Sequence, residues 1–287
     1  KGSTSTAANK PKVTNYSEYD AMTVVDEQLP ASPMTLAASG RSVNIASNIG
    51  TKAGTVAPDV KYTLFLFNPD GSIASTNPLT TGTSGTINVT PGITYTWAAL
   101  SYNNGEDVGA PAAGSTKIAL NGGKDVLYAS GSITVPTNGG NAPININFNR
   151  KFSRLGVEIN TMGMFADMEN ATVNVTGQSV QTATINLTDG KLSDFVDFPQ
   201  TINYASFTNT NPTYGDSKIA YIYTANDAKS DIKVAVSNLK IKLDDNSSRS
   251  FSTTANFTFS NINPVMGKSY RLLTNLIESP VQIKSNG

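Results

Sequence analysis

The clearest hydrophobic pattern in the chain is an alternation around its midpoint. Apolar residues alternate with asparagines from Ile144 to Phe148, and after a short basic link the alternation resumes from Leu155 to Ile159. A period of two places one face of a strand in a core and the other face in water. The pattern therefore predicts two half-buried strands that meet where one sandwich ends and a second begins.

Short strand patterns separated by turn residues run through both halves of the chain. The stretch from Val60 to Phe67 is apolar on both faces, which predicts a central or covered strand. Trp97 is the only tryptophan and lies in the middle of another predicted strand, so we expect it in the core. Many short strands with intervening turns indicate β-sandwiches or barrels and not βαβ units. The sequence thus predicts an all-β chain with a flexible tail over residues 1–20, one sandwich domain over 21–150 and a second over 151–287.

Composition narrows the range of functions. The 287 residues suit about two domains or one large all-β domain, and they include neither Cys nor His. Without His the chain lacks the usual general base near neutral pH and the commonest metal ligand, so we expect no catalytic site, no cofactor and no metal. Asp244 and Asp245 could contact calcium, but a solvated turn explains them better. Lys+Arg and Asp+Glu balance at 21 each, which gives no bias toward nucleic acid.

Four strand-and-turn segments stand out by their order and spacing. They are Tyr95–Asn103, Lys124–Ala129, Asn147–Ile159 and Pro264–Leu272. Together they resemble the fimbrillin-like proteins, which are major and minor pilins of Gram-negative anaerobes. The resemblance covers most of residues 40–277.

This resemblance implies a specific fold, export route and mode of assembly. It implies two tandem transthyretin-like, Greek-key β-sandwich domains in a protein that is exported as a lipoprotein, through a Cys that would precede Lys1. Such proteins polymerise into fimbriae on the outer-membrane surface. In stalk members an Arg-specific protease removes an N-terminal strand, and a strand from another subunit fills the vacant groove. The implied partners are other fimbrial subunits, with host or bacterial surface ligands as further candidates.

The sequence offers a candidate cleavage point at Arg41, which is the only Arg before Arg150. An exposed charge at a sheet edge explains Arg41 equally well. The strand to be released would lie within residues 21–38. Its apolar anchors would be Val24, Leu29, Met34 and Leu36. Burial of four such side chains stabilises by about 1.5–3 kcal/mol each, whereas a whole domain is stable by about 5–15 kcal/mol. The groove is therefore expected to be filled, first by the chain itself and then by a donor.

The sequence defines the donor strand less clearly than the strand to be released. Val281 and Ile283 alternate with polar residues after the last predicted strand, which ends near Ile277. This tail could be a short donor strand, or a linker to a C-terminal adhesive domain. Stalk, tip and anchor roles therefore all stay open.

Two other classes of function compete with a fimbrial subunit. A surface glycan-binding protein would need an exposed row of aromatics, and the candidates are Trp97, Tyr221 and Tyr223. A glycosidase that uses only carboxylates would need two acids about 5–10 Å apart in a cleft. The sequence does not test the glycosidase, because spacing along the chain does not give the distance between two acids in the fold.

Overall fold

The computed structural model describes residues 12–16, 19–28, 48–53, 59–83, 85–225 and 228–278, and within them the chain is all-β, as predicted, with one 3-10 turn at Tyr204–Ser206. The strands up to residue 150 are β1 (Lys12–Asn15), β2 (Tyr19–Gln28), β3 (Asn48–Ala53), β4 (Lys61–Phe67), β5 (Ile73–Thr80), β6 (Thr86–Asn88), β7 (Thr94–Ser101), β8 (Lys117–Ala119), β9 (Leu127–Thr134), β10 (Ala142–Ile146) and β11 (Asn149–Arg150). The strands after residue 150 are β12 (Ser153–Gly163), β13 (Ala166–Thr176), β14 (Gln181–Asn186), β15 (Leu192–Asp197), β16 (Gln200–Asn203), β17 (Thr208–Asn209), β18 (Ser217–Thr224), β19 (Ser230–Leu243), β20 (Ser248–Ser250), β21 (Ala255–Ile262) and β22 (Ser269–Glu278).

The N-terminal unit is a sandwich of a five-stranded and a three-stranded sheet. The five-stranded sheet has the order β11-β9-β7-β4-β5, and the three-stranded sheet has the order β10-β3-β6. Leu64, Leu66 and Trp97 from the larger sheet pack with Ile87 and Ile144 from the smaller one. The inward residues alternate along each strand, as a sheet with one face toward a core requires.

The second face of the five-stranded sheet is also covered. A three-stranded sheet in the order β15-β14-β8 lies over it, and there Phe65, Phe67 and Leu100 pack with Ile118 and Ile185. This explains why β4 is apolar on both faces and confirms that it is a covered strand. Since β14 and β15 come from the second half of the chain, this shared core joins the two units.

The C-terminal unit is a second sandwich. One sheet has six strands in the order β1-β2-β22-β12-β18-β17. The other has the order β16-β13-β19, with β20 and β21 both paired to β19. Leu155 and Val157 of the first sheet pack with Val173 and Val234 of the second. The two sheets therefore enclose one core by the usual inward alternation.

The N-terminal residues differ from the sequence-based division of the chain. Residues 1–20 were expected to form a flexible tail, but residues 12–15 form β1 and Tyr19 begins β2. Residues 21–150 were expected to form one domain, but β2 pairs along its whole length with β22 of the C-terminal unit. The reason is that β2 has a period-two pattern that fits the C-terminal core, whereas closeness along the chain imposes no pairing.

Candidate functional site

The N-terminal strand β2 lies inside the six-stranded sheet of the C-terminal unit. It pairs antiparallel with β22 from Tyr19 opposite Glu278 to Gln28 opposite Ser269, an unbroken ladder of ten residues. On its other side only four residues of β1 pair with it, from Lys12 opposite Thr23 to Asn15 opposite Asp20. One end of the C-terminal sheet is thus built from the beginning of the chain.

Alternate side chains of β2 enter the C-terminal core. Tyr19 and Ala21 are fully buried, Thr23 is buried, and Val25 is partly buried against the same cluster. Because successive side chains of a strand point to opposite faces, one period-two row fills the core while the intervening residues face outward. The strand therefore supplies both main-chain hydrogen bonds and apolar contacts, which are the two requirements for a strand that completes a sandwich.

Aromatic contacts hold the start of β2 in place. The Tyr19 ring packs edge-on against Phe251 with centroids 5.3 Å apart, and Tyr16 lies 5.2 Å from Tyr19. Tyr16 also packs edge-on against Phe257 at 5.8 Å, and its hydroxyl donates a hydrogen bond to the Asn256 carbonyl at 2.7 Å. Partial burial raises the pKa of the Tyr16 hydroxyl, so it stays protonated as a donor. These rings anchor β2 to the loop that precedes β21 and to β21 itself.

Loss of β2 would open the C-terminal sandwich. It would remove one of the two strands that pair with β22, leaving only β12, and would uncover the space that Tyr19 and Ala21 occupy in the core. A cleft of about 180 Å³ already lies between β2 and β21, lined by Thr23, Val25 and Phe259 among others. An exposed strand edge beside an apolar groove is a template for a replacement strand.

The structure places some of the predicted site residues and not others. Val24 lies in β2 opposite Leu273, but it is partly exposed and alternates with the buried residues, so it faces outward. The other predicted residues lie outside the described part of the chain. They are Leu29, Met34, Leu36, Arg41, Val281 and Ile283.

The buried row of β2 was missed in the sequence-based prediction. The anchors are Tyr19, Ala21, Thr23 and Val25, with Tyr16 before them. A period-two pattern is present, but Ala and Thr are weakly apolar, and the adjacent Val24 and Val25 fall on opposite faces. The pattern therefore did not distinguish the buried row from the outward one.

The aromatic row proposed for glycan binding is broken. Trp97 is only 8% exposed and belongs to the N-terminal core. Tyr223 is partly buried against the shared core, and burial raises the pKa of its hydroxyl. Tyr221 is 43% exposed, but the Arg154 guanidinium lies 4.5 Å above its ring. These three residues therefore do not form one platform.

Acidic clusters and long apolar helices are two further features that the described residues can be searched for. No group of three or more His, Cys, Asp or Glu side chains is placed to hold a metal ion among those residues. Asp245 accepts hydrogen bonds from the Ser247 hydroxyl at 2.6 Å and the Ser247 N–H at 2.9 Å, and these bonds lower the pKa of its carboxyl. This pattern is that of a turn. Among the described residues, no helix has the length and apolarity to span a bilayer.

These features define the class of protein: a pair of β-sandwich units in which the second is completed by the N-terminal strand. No family model and no curated protein matches the sequence. A solved structure of a candidate cell adhesion protein from Bacteroides fragilis has this fold with a TM-score of 0.53, at 12% identity, over 91% of this chain and 98% of that chain. This likeness shows that the two chains share a fold.

Two further solved structures are similar with lower scores. A candidate cell adhesion protein from Bacteroides ovatus has a TM-score of 0.49 at 14% identity, over 84% of this chain and 97% of that chain. The fimbrial anchor protein Mfa2 from Porphyromonas gingivalis has a TM-score of 0.40 at 11% identity, over 68% of this chain and 78% of that chain.

Proposed function

We propose that this protein is a structural and adhesive subunit of cell-surface fimbriae, and that it assembles when another subunit's strand replaces β2. The observation that carries the proposal is the position of β2, an N-terminal strand with a ten-residue ladder to β22 and a buried row in the C-terminal core. The fold shared with a candidate cell adhesion protein supports the surface role. In this role the protein has no catalytic residues and needs no cofactor.

Cleavage at Arg41 is the proposed trigger. Arg41 follows β2 in the sequence, so cleavage there would cut the covalent link between β1–β2 and the rest of the chain. The freed segment would then be held only by non-covalent contacts in the C-terminal unit. In this proposal the groove that β2 would vacate lies beside β22, in the C-terminal unit. The sequence-based division of the chain placed the strand to be released in the domain of residues 21–150.

The proposed donor is the segment that contains Val281 and Ile283. It follows β22 directly, and β22 ends at Glu278, opposite the start of β2 at Tyr19. The donor segment of one subunit would thus begin at the end of β22 that lies opposite the start of β2. Export as a lipoprotein to the outer-membrane surface completes the proposal, and it comes from the resemblance to fimbrillin-like proteins.

A native cleavage and exchange assay tests this function. The folded chain is treated with an Arg-specific protease and incubated with a biotinylated peptide of residues 12–28, and native mass spectrometry follows the fragments. We expect cleavage at Arg41 and slow replacement of the released fragment by the peptide. A peptide with Ala21→Asp is the matched control, and it should not bind because it would bury an unpaired charge.

Two variants separate the trigger from the exchange. Arg41→Gln should resist the protease and keep its own β2. A second variant carries a site for another sequence-specific protease within residues 38–44, so that exchange can be measured even if Arg41 is not cut. Retention of the cleaved fragment, with no uptake of the wild-type peptide in either cleaved protein, would refute strand exchange.

A further inference from the structure

A pocket lies on the outer face of the six-stranded sheet, the face opposite to the core that β2 helps to fill. Its floor is formed by Glu158 of β12, Arg271 of β22 and Ser217 of β18. Glu158 alternates with the core residues Val157 and Ile159, so its side chain is on the opposite face of the sheet. The pocket has a volume of about 430 Å³, within the range of about 300–1,000 Å³ for small-molecule sites.

The floor of the pocket is rigid and nearly neutral. Glu158 is only 2% exposed and accepts hydrogen bonds from Arg271 Nε at 2.5 Å and Nη2 at 2.6 Å. The Ser217 hydroxyl donates a third bond to Glu158 at 2.7 Å. A two-point Arg–carboxylate contact fixes both side chains, and the two charges offset each other. The floor is therefore preorganised without attracting a strongly charged ligand.

The walls carry polar atoms that have no hydrogen-bond partner among the described residues. Asn160 and Asn211 each accept a backbone N–H through Oδ1 at 2.8 Å, from Met162 and Thr213 respectively. Among the described residues neither Nδ2 group has an acceptor and the Asp216 carboxylate has no donor. The pocket thus presents two amide donors and one acceptor, and Asp216 gives its lining a net negative charge.

The rim of the pocket carries an exposed aromatic ring. Tyr214 is 59% exposed in the loop between β17 and β18, and Met162 is exposed beside the pocket at the end of β12. An exposed ring of this kind can pack against the apolar C–H face of a ligand while its hydroxyl stays in water. The combination of ring, amide donors and carboxylate acceptor matches the alternating C–H and hydroxyl surfaces of a sugar.

We infer that this pocket binds a neutral saccharide, with Tyr214 stacked on the sugar ring and Asp216, Asn160 and Asn211 bonded to its hydroxyls. The net negative lining disfavours phosphorylated, sulfated or carboxylated ligands. The inference deepens the adhesive part of the proposed function and rests on it for its biological meaning. The site differs from the aromatic row predicted from the sequence, because it uses Tyr214 in place of Trp97, Tyr221 and Tyr223.

Saturation-transfer NMR on the full chain tests the inference. The probes are the methyl glycosides of glucose, galactose, mannose and N-acetylglucosamine, with glucuronate and a trilysine peptide as charged competitors. We expect transfer from at least one neutral glycoside, and Tyr214→Ala should weaken its binding about tenfold or more. Asp216→Ala should weaken binding as well, while Tyr221→Ala, an exposed tyrosine outside the pocket, should leave it unchanged.

Several results would overturn the inference. They are transfer from none of the neutral glycosides, binding of glucuronate or trilysine alone, and loss of sugar binding in Tyr221→Ala but not in Tyr214→Ala. Thermal unfolding of each variant checks that the substitution leaves the fold intact. Strand exchange is measured separately on the cleaved chain, so a protein that exchanges β2 but binds no sugar would refute only this inference.

Discussion

The two large sheets of the molecule are built in different ways. The five-stranded sheet of the N-terminal unit takes its five strands from residues 61–150. The six-stranded sheet of the C-terminal unit takes strands from residues 12–28 and from residues 153–278. The first sheet is complete within one stretch of chain, whereas the second is closed by a segment from the far end. In the second sheet, a single cut after β2 would separate β1 and β2 from a chain that stays continuous through the other four strands.

This difference also affects folding. The pairing of β2 with β22 joins residues 19–28 to residues 269–278, and closure of so long a loop is entropically costly and slow. The pairing of β4 with β7 closes a much shorter loop. We therefore expect the C-terminal unit to complete its sheet late, after the N-terminal sheet has formed.

Tyr19→Ala should have the largest effect, because it removes a fully buried ring that packs against Phe251 and Tyr16. We expect the free energy of unfolding to fall by about 3–5 kcal/mol, as for other large aromatic truncations in cores. Urea denaturation measures this change. The matched control Val24→Ala changes an outward-facing residue of the same strand and should cost about 1 kcal/mol or less. Equal losses in the two variants would contradict the assigned faces of β2.

Glu158→Gln should have the next largest effect. It leaves Arg271 without its two-point carboxylate partner, and because the Arg271 side chain is 30% exposed we expect a loss of about 2–4 kcal/mol, less than for a fully buried pair. The N-terminal unit offers a matched pair, in which Arg150 Nε contacts Asp125 at 2.9 Å. Asp125→Asn should weaken that unit instead.

Amide hydrogen exchange distinguishes the two charge variants. Glu158→Gln should reduce protection in β12 and β22, and Asp125→Asn should reduce it in β9 and β11. If both variants lowered protection in the same strands, the two units would not respond independently to the loss of an ion pair.

The smallest expected effect concerns the shared core that joins the two units. Ile118 and Ile185 lie opposite each other where β8 pairs with β14, and both are buried in the shared core. Each Ile→Val change should cost about 0.5–1.5 kcal/mol. A double-mutant cycle should show that the two losses are not additive, because the side chains share one cluster. Strict additivity would argue against direct packing between Ile118 and Ile185.

Much of the fold was predictable from the sequence, because local patterns determined it. The apolar run in β4 predicted a covered strand, and Trp97 was expected in the core. The turn at 68–71 is local as well, because Pro69 presets its own φ and Gly71 adopts the left-handed φ of 84°.

The candidate sites were less predictable, because distant segments form them. Nothing local to β2 indicates that its partner is β22, since pairing depends on which core has space for Tyr19 and Ala21. The pocket joins Glu158, Ser217 and Arg271 from three strands that are adjacent only in the folded sheet. Sequence spacing shows neither arrangement.

The most direct test of strand exchange is native-state hydrogen exchange on the intact chain at low denaturant. The account predicts that β2 opens as a local unit, so that its amides exchange with an opening free energy well below that of β4 and of global unfolding. Equal protection of β2 and β4, lost together only in global unfolding, would contradict the claim that β2 is a replaceable strand.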